Sequence, residues 1–487
     1  MRPELYVVID DRERPPPELE GLIGYIHFGD LLRRRQRYVD ELTAAAAGAD
    51  DVIVLRSSED ADRLVRRIEA VRGDTLWLRL PVISAPLDMG QLDQLIRKMR
   101  YALEPILLAP VQEDDAPMVL FPRDAIDLIT AQPGKDRRSH ILRLADEATQ
   151  VDHNVDFVDL RQPDALRVFL SGATEPRKFN NLSAEAGVFV KSSQDIAKMK
   201  AEHDYFDLAP AHMQRFLLPT FDYVESDDVA SYSMEHLRVP DAALQFVLGT
   251  FSETHFGQLL DQFFAFIAAR DPEVIGRQSV RQKGQEQILT KMQTRLKTFV
   301  GTAEGAHVDQ MLKSGGVTGG LADLESRAVP LIEAALADHM CDHLTFSHVD
   351  PCLSNILFDH RIGLIRLIDP RGATQREDAL MHPLYDVAKF SHSVCGGYDF
   401  VNNTLFSIEV DADLKLELQR HRGGAPDWVK DVFKTRLAAE GWDYRQVRAV
   451  EASLFLSMLP LHLDHPRKLL SFALIAKEII EELEGSA

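Results

Sequence analysis

The sequence predicts an α/β N-terminal domain with a largely parallel sheet, followed by a second part of α+β type. The chain has 487 residues, which exceeds what one hydrophobic core usually organises and suggests about three folding units. Over roughly the first 130 residues, short apolar runs alternate with longer amphipathic segments, as in βα units. From about residue 157 the pattern changes to a strand, a helix and a hairpin, and beyond residue 241 it is mostly helical. We therefore place domain boundaries near residues 135, 175 and 240.

The N-terminal domain, residues 1–135, contains four apolar runs that predict buried strands. The amphipathic segments between them predict helices over 30–47 and 58–72, with Ser58 as the N-cap of the second helix. Residues 136–175 are typical of a connecting region. The four predicted strands cover residues 5–10, 50–55, 74–82 and 105–110.

The composition is that of a globular protein, with 45% hydrophobic and 27% charged residues. A formal net charge of −21, from 55 basic and 76 acidic residues, argues against nucleic acid or an anionic membrane as partner. No apolar run reaches the roughly 18 residues that span a bilayer, and the N-terminus does not resemble a signal peptide. The three cysteines, Cys341, Cys352 and Cys395, form no CxxC pair. We therefore expect a cytoplasmic protein without membrane insertion, and the oligomeric state stays open.

The second part begins with a predicted N-lobe, residues 176–240, and continues in a helical C-lobe, residues 241–487. The N-lobe is predicted to contain a strand over 188–193, a helix over 193–209 capped by Ser193, and a hairpin over 221–237. Short β-like segments interrupt the helical C-lobe at 344–349, 355–358 and 363–368.

The residues most informative about chemistry lie between His348 and Asp369. His348, Asp350 and Asn355 have the spacing H-x-D-x-x-x-x-N, and two apolar runs joined by a turn lead from Asn355 to Asp369. A hairpin there would bring Asn355 and Asp369 together, and hard oxygen ligands of this kind suit Mg²⁺. Asp350 would orient or deprotonate a hydroxyl group, while His348 would brace the loop rather than react. This set predicts phosphoryl transfer, which needs a positioned hydroxyl and a metal ion at the phosphates.

These motifs resemble the catalytic loop of the aminoglycoside phosphotransferase and choline kinase group, within the bilobal protein-kinase-like fold. The resemblance covers roughly residues 175–475. It implies ATP or GTP as cofactor together with Mg²⁺, and an Asp at position 386 that braces the catalytic loop. It further implies that Lys191 holds the nucleotide phosphates and that Glu202 on the next helix pairs with Lys191.

The same resemblance places the adenine-binding hinge at Glu235, His236 and Leu237. Two departures from the family pattern stand out. Pro-Arg-Gly follows Asp369, which disfavours activation-loop switching and a protein substrate, and Arg371 would be free to meet a phosphate or carboxylate. No glycine-rich loop precedes Lys191, so residues 177–187 would have to cover the phosphates through backbone N–H groups, aided by Lys178 or Asn180.

A narrower resemblance is to kinase-like proteins found with bacterial capsule and surface-polysaccharide genes, carried by RKFNNLS, IDPRG, YDVAKFSHS and GGYDF. It implies a sugar or glycan acceptor. In several such proteins the kinase domain is joined to a nucleotidyltransferase-like domain, which the N-terminal domain faintly resembles in degenerate form, without the glycine-rich nucleotide loop. Asp10 and Asp11 at the end of the first predicted strand belong to a scaffolding or acceptor-binding domain, or else to a carboxylate metal site.

Several of these residues have simpler interpretations. Lys191 and Glu202 would be ordinary surface charges if the strand and helix did not pack together, and Asp386 would be a helix cap. Lys291, Arg295 and Lys297 form a basic stretch in which the first two share a helix face. A solvated helix face is the favoured interpretation of this stretch, and a site for an anionic acceptor is the alternative. His392 has no second histidine one turn away and is expected to be packed rather than a ligand.

The sequence thus predicts an ATP- and Mg²⁺-dependent phosphotransferase acting on a hydroxyl of a small molecule or sugar. One alternative is a kinase-like scaffold that binds nucleotide without turnover. Another is a bifunctional protein in which the N-terminal domain is itself a nucleotidyltransferase.

Overall fold

The chain divides into two compact units, Met1–Glu175 and Pro176–Ala487. A computed structural model describes residues 4–171 and 180–485, apart from 18, 20–22, 24–25, 34–35, 72–74, 103–105, 109–117, 123–148, 151–154, 186–187, 236, 238 and 464. Within these ranges, none of the helices has both the length and the apolar character needed to cross a membrane.

The first unit is built on a mixed β-sheet. Its strands are β1 Glu4–Asp10, β2 Leu32–Arg33, β3 Gln36–Arg37, β4 Asp51–Leu55, β5 Thr75–Pro81, β6 Ser84–Pro86, β7 Ile106–Leu108, β8 Met118–Pro122, β9 Thr149–Gln150 and β10 Phe157–Asp159. The main sheet has the order β4-β1-β5-β8-β7-β9. Strands β4, β1 and β5 are parallel, as predicted, whereas β8 runs antiparallel to both β5 and β7. The β7–β9 pair is also parallel. The prediction of a largely parallel sheet therefore fails only at β8 among the described strands of this sheet, because an apolar run does not encode strand direction.

The helices of this unit are α1 Tyr38–Ala45, α2 Ser58–Ala70, α3 Met89–Met99 and α4 Pro163–Ser171. The helix predicted from residue 30 begins only at Tyr38, because β2 and β3 pair as a small antiparallel hairpin before it. Ser58 is not the N-cap of α2. The cap is Ser57, whose hydroxyl accepts the N–H of Asp60 in a capping box. The region predicted to be a connector contains β9, β10 and α4.

The acidic end of β1 is neutralised by arginines. Asp10 lies 2.8 Å from the guanidinium of Arg12 and 2.7 Å from that of Arg79. Asp11 is buried and lies 2.9 Å from Arg56, and burial raises the pKa of Asp11 to about 7. Among the described residues, no group of three His, Cys, Asp or Glu side chains could hold a metal ion. This arrangement favours a structural ion network at the end of β1.

The second unit begins with a four-stranded antiparallel sheet. Its elements are β11 Asn180–Glu185, β12 Val188–Ser193, α5 Ile196–Leu208, α6 Ala211–Gln214, β13 Thr220–Glu225 and β14 Ala230–Glu235, and the sheet order is β11-β12-β14-β13. The predicted strand, helix and hairpin are therefore present. Helix α5 is capped by Asp195 rather than Ser193, since the Asp195 carboxylate accepts the N–H of Lys198. Met199 on α5 packs against Tyr232 and Met234 of β14, which fixes the helix on the sheet.

The rest of this unit is mainly helical, as predicted. Its helices are α7 Ala242–Val247, α8 Glu253–Ala268, α9 Arg277–Gly284, α10 Lys291–Val300, α11 Ala303–Ser314, α12 Gly320–Asp338, α13 Leu384–Val394, α14 Tyr398–Asn402, α15 Asp427–Ala439, α16 Tyr444–Ser457 and α17 Pro466–Gly485. The π-helical turn Gln285–Thr290 joins α9 to α10. Its strands are β15 Pro272–Val274, β16 His343–Phe346, β17 Ile356–Asp359, β18 Leu364–Leu367, β19 Leu380–Met381, β20 Phe406–Val410 and β21 Leu416–Arg420.

Strands β17 and β18 form the predicted antiparallel hairpin after the catalytic-loop motif. The hairpin is hydrogen-bonded to the segment just before β13 and to the segment just after β14. The N–H of Leu367 donates to the carbonyl of Phe216 at 2.7 Å, and the N–H of Phe358 donates to the carbonyl of Pro240 at 3.2 Å. These bonds fix the end of β18, and with it Asp369, relative to the sheet.

Candidate active site

Lys191, Glu202 and Asp369 converge between the sheet and the β17–β18 hairpin. The buried ammonium group of Lys191 on β12 lies 2.6 Å from Glu202 Oε2 and 2.9 Å from Asp369 Oδ1. The hydroxyl of Tyr232 donates to the same Glu202 oxygen at 2.9 Å. Burial alone would lower the pKa of Lys191, but the charges of Asp369 and Glu202 raise it above its usual value. The structure therefore brings the predicted pair together as a buried, charged group and not as separate surface charges.

Asn355 and Asp369 are placed side by side by backbone bonds. The N–H of Ile368 donates to the Asn355 carbonyl at 3.0 Å, which joins the start of β17 to the residue before Asp369. The Asn355 amide nitrogen donates to the backbone carbonyl of Asp350 at 2.9 Å, so the amide oxygen faces the other way. Asp369 has a left-handed backbone, φ 54°, which an aspartate tolerates better than most residues. Two side chains with oxygen donors thus stand at adjoining positions.

This donor set fits a magnesium ion. Mg²⁺ usually binds one or two protein carboxylates or amide oxygens and completes its octahedron with waters and phosphate oxygens. One carboxylate from Asp369 and one amide oxygen from Asn355 match that pattern, and the Asp369 side chain is 43% exposed.

The candidate catalytic loop, residues 348–355, is braced by Asp386. The fully buried carboxylate of Asp386 on α13 accepts the N–H of Val349 at 2.8 Å and that of His348 at 3.2 Å, and it lies 3.3 Å from Arg270. Val349 has φ 69°, which is a costly conformation for a β-branched residue. The two bonds from Asp386 hold the backbone in this strained state directly before Asp350. Asp386 thus occupies the bracing position that the resemblance implies.

His348 is fully buried beneath the loop. Its ring stands edge-on to those of Tyr205 and Phe266, with centroids 6.2 and 6.4 Å away. Burial lowers the pKa of His348, which favours a neutral ring. The structure therefore places His348 as a packed residue that supports the loop.

Lys389 is a site residue that sequence reasoning missed. It lies three residues after Asp386 on α13, so the two side chains share a helix face. Its ammonium group lies 2.9 Å from the carboxylate of Asp350. Burial by itself would lower the pKa of Lys389, but Asp350 and neighbouring groups raise it. The spacing D-x-x-K in YDVAKF was the available signal, since a helix that braces the loop through Asp386 must present position 389 to the same loop.

The Pro-Arg-Gly segment after Asp369 is docked on helix α5. The N–H of Ala373 donates to the carbonyl of Ala201 at 2.9 Å. Gly372 has φ 84°, and a Cβ at this position would lie 2.6 Å from the backbone of Ala201 and Glu202. Only glycine allows so close an approach, and the contact fixes Asp369 relative to the helix that carries Glu202.

The predicted hinge lies at the end of β14. Glu235 is the last residue of this strand and has an exposed side chain, and the N–H of Leu237 donates to its carbonyl at 3.1 Å. His236 lies outside the described residues, as does Lys178. Asn180 begins β11, where it pairs in register with Ser193. Partly buried side chains of Phe189, Leu237 and Ile368 pack on one hydrophobic cluster beside Lys191. They form an apolar wall next to the charged group.

His392, in contrast, lies in an aromatic environment on α13. Its ring packs at a tilt against those of Tyr398 and Phe455, each with a centroid distance of 4.3 Å. Its Nε2 lies 3.4 Å from the sulfur of Met458. It is packed, as the sequence predicted.

Comparison with solved structures returned crystal structures of the aminoglycoside phosphotransferase APH(4)-Ia. A thermostable mutant in ternary complex with AMP-PNP and hygromycin B is 10% identical to this chain with a TM-score of 0.37, covering 64% of this chain and 95% of that chain. A complex with ADP and hygromycin B is 12% identical with a TM-score of 0.36, covering 62% and 94%. Neither the family models nor the curated proteins compared with the chain gave a match. At such low TM-scores the structural similarity carries no argument, and the function proposed below rests on the geometry of the site.

Proposed function

We propose that residues 176–487 form a phosphotransferase that uses ATP, or GTP, with Mg²⁺ to phosphorylate a hydroxyl group of a small molecule. The observation that carries this proposal is the ammonium group of Lys191, buried 2.6 Å from Glu202 and 2.9 Å from Asp369. Asp350 stands on the loop that precedes Asn355 and Asp369. A lysine fixed by a helix carboxylate next to a metal-binding aspartate and a catalytic loop is the arrangement that phosphoryl transfer uses.

The nucleotide would lie between the sheet and the β17–β18 hairpin. Phe189 is two residues before Lys191 on β12 and so faces the same side of the sheet. Its ring, with Ile368 and Leu237, would cover the base, and backbone groups near Glu235 would bind its edge. The Lys191 ammonium group would bind phosphate oxygens. Asn355 and Asp369 would hold Mg²⁺, which neutralises charge on the phosphates when bound.

Asp350 is the residue that would act on the acceptor. Its carboxylate would accept a hydrogen bond from the acceptor hydroxyl and orient that oxygen toward the γ-phosphorus. The new bond forms between the hydroxyl oxygen and phosphorus, and the bond to the bridging oxygen breaks, so that ADP leaves. The hydroxyl proton passes to Asp350 and then to water. Lys389 would keep the carboxylate in position.

The docked Pro-Arg-Gly segment favours a small acceptor over a protein. Gly372 lies against the backbone of α5, so the position of Asp369 is set by packing rather than by a switchable loop. A sugar or surface-polysaccharide precursor is the acceptor class that the sequence resemblance implies, and it stays part of the proposal.

Lys191→Met tests this proposal in the full chain. ADP formation is measured with Mg·ATP and a panel of sugars, polyols and their phosphorylated and acidic forms. Since the variant removes the phosphate-binding cation and the 2.6 Å ion pair with Glu202, we expect kcat/KM to fall by at least about 100-fold. Lys200→Met is the matched control, because Lys200 is 50% exposed on α5 and its pair with Asp204 contributes little.

Equal activity of Lys191→Met and wild type would contradict the assignment of the nucleotide site. A wild-type protein that binds Mg·ATP but forms no ADP with any acceptor would favour the non-catalytic scaffold. Nucleotide-sugar formation that survives Lys191→Met would point to the N-terminal unit instead.

A further inference from the structure

A group of cations lies beside the start of α13, the helix whose Lys389 pairs with Asp350 at 2.9 Å. Lys291, the first residue of α10, is half-buried, and its ammonium group lies 2.9 Å from the hydroxyl of Tyr385 and 5.0 Å from the centre of that ring. Tyr385 directly precedes Asp386 on α13. This contact fixes the Lys291 ammonium group over the helix that also carries Lys389. Within the basic stretch, Lys291 therefore contacts the helix that carries Asp386 and Lys389.

Two further cations complete the group. Arg295 lies one turn after Lys291 on the same face of α10, half-buried, and its guanidinium donates to the carbonyl of Ser457 at 3.4 Å. Arg371 is exposed, and its N–H donates to the carbonyl of His348 at 3.1 Å, so its backbone is part of the catalytic loop region. We call Lys291, Arg295 and Arg371 the cation cluster.

The positive charge of the cation cluster is not balanced by nearby carboxylates. Burial first, and then the charges of Arg371, Arg295 and Lys389, lower the pKa of Lys291 to about 7. Asp350 acts in the opposite direction, but it is already paired with Lys389. Across the ranges that the structure describes, no carboxylate is within ion-pair distance of the three members.

Several other cations in the helical part are either paired with a carboxylate or exposed to solvent. Lys283 pairs with Glu286 at 3.0 Å on the helix surface, and Lys313 pairs with Asp309 at 2.6 Å. Lys297, on the same helix as Lys291, is exposed to solvent. Holding unpaired cations together beside a half-buried site costs stability, and such arrangements are typical of binding sites for anions.

We propose that the cation cluster binds an anionic group, a phosphate or a carboxylate, on the same small molecule whose hydroxyl is held by Asp350. This inference rests on the proposed function and narrows its acceptor to an anionic hydroxyl compound. The proposed compound carries both the anion and the reacting hydroxyl in one molecule. The alternative source of the anion is the γ-phosphate of the nucleotide, and the experiment separates the two.

The first measurement uses sulfate as a probe and needs no turnover. The full chain is saturated with Mg·ADP, and its Tm is compared in sulfate and in chloride at equal ionic strength. An anion that binds only the folded state raises Tm. We expect a sulfate-dependent rise in wild type and in the exposed control Lys297→Gln, and a rise at least twofold smaller in the double variant Lys291→Gln/Arg295→Gln. An equal rise in all three proteins would overturn the proposal.

A second measurement, the Tm without sulfate, shows whether the double variant has a folding defect. Because the substitutions remove unpaired like charges, Tm without sulfate at pH 6 should be equal to or higher than that of wild type. A lower Tm, with the sulfate response unchanged, would mean that the two residues are structural and would also overturn the proposal.

The sulfate response should depend on pH. The groups that face Lys291 are Arg295, Arg371, Lys389, Asp350 and Tyr385. Burial and the neighbouring cations lower the pKa of Lys291 to about 7. A bound dianion favours its protonated form, so sulfate affinity should fall as pH rises through 7, and Lys291→Gln should abolish that dependence. An affinity that is constant between pH 6 and 8 in wild type would contradict the role of Lys291.

The enzymatic arm compares glucose, glucose 6-phosphate and glucuronate at fixed Mg·ATP. We expect kcat/KM to be at least tenfold higher for an anionic compound than for glucose, and the double variant to lose that preference with an unchanged Kd for Mg·ATP. Weaker Mg·ATP binding with an unchanged preference would assign the cluster to the nucleotide. Turnover without any preference would leave the proposed function standing and overturn this inference. A sulfate response without turnover on any compound would overturn the proposed function, and with it the acceptor role of the cluster, and would leave only an anion site.

Discussion

Asp350→Asn is expected to reduce the rate of phosphoryl transfer by about 100- to 10,000-fold, the range typical of general acid–base residues. Asparagine has the same size and can still accept a hydrogen bond, but it cannot take up the hydroxyl proton. The affinity for Mg·ATP should be nearly unchanged, because the contacts of Lys191 are to Glu202 and Asp369 and do not include Asp350. Single-turnover ADP formation and nucleotide titration measure the two quantities separately.

The matched control for this variant is Asp413→Asn. The Asp413 side chain is 77% exposed in the turn between β20 and β21, and it is far in sequence from the loop. It should retain the wild-type rate. A wild-type rate in Asp350→Asn would exclude Asp350 as the residue that orients the acceptor.

The largest effect on stability is expected for Asp386→Ala. The substitution removes the acceptor of the His348 and Val349 N–H groups and leaves the guanidinium of Arg270 buried without its carboxylate. Breaking a buried ion pair in this way costs about 3–5 kcal/mol. Chemical unfolding should show a decrease of this size in the free energy of unfolding, together with loss of activity, since Val349 would be released from its strained backbone state.

A second substitution tests whether the unpaired charge is the cause. In Arg270→Met/Asp386→Ala no charge is left buried, so part of the lost stability should return. Asp413→Ala, at an exposed position, should change stability by less than about 0.5 kcal/mol. An unfolding free energy of Asp386→Ala equal to that of wild type would show that the loop does not depend on this carboxylate.

Much of the site was predictable because it is encoded in short segments. The spacing from His348 to Asn355 and the hairpin leading to Asp369 are local features, and local hydrogen bonds complete them. The pairing of Lys191 with Glu202 was harder to predict, because it depends on how α5 packs on the sheet. The family resemblance supplied that step, and the buried contact of 2.6 Å agrees with it.

Other partners could not be predicted because they are far apart in sequence and have no pattern of their own. Arg270 reaches Asp386 across 116 residues, and Tyr232 reaches Glu202 across 30. The direction of β8 and the small hairpin before α1 were missed for a similar reason, since apolar content does not specify pairing. The basic stretch shows the limit most clearly. The spacing of its lysines and arginines fitted a solvated helix face. The packing of Lys291 against Tyr385, which the sequence does not reveal, distinguishes Lys291 from the exposed Lys297.

The central claim is that Lys191, Asn355 and Asp369 form one Mg·nucleotide site, and calorimetric titration of ATP into the full chain tests it most directly. Wild type and Asp413→Ala should bind one ATP per chain in the presence of Mg²⁺ and bind it more weakly in EDTA. Asp369→Ala should weaken Mg·ATP binding at least tenfold, or about 1.4 kcal/mol, and should lose the dependence on Mg²⁺. Equal affinity of wild type and Asp369→Ala for ATP, with or without Mg²⁺, would contradict the account.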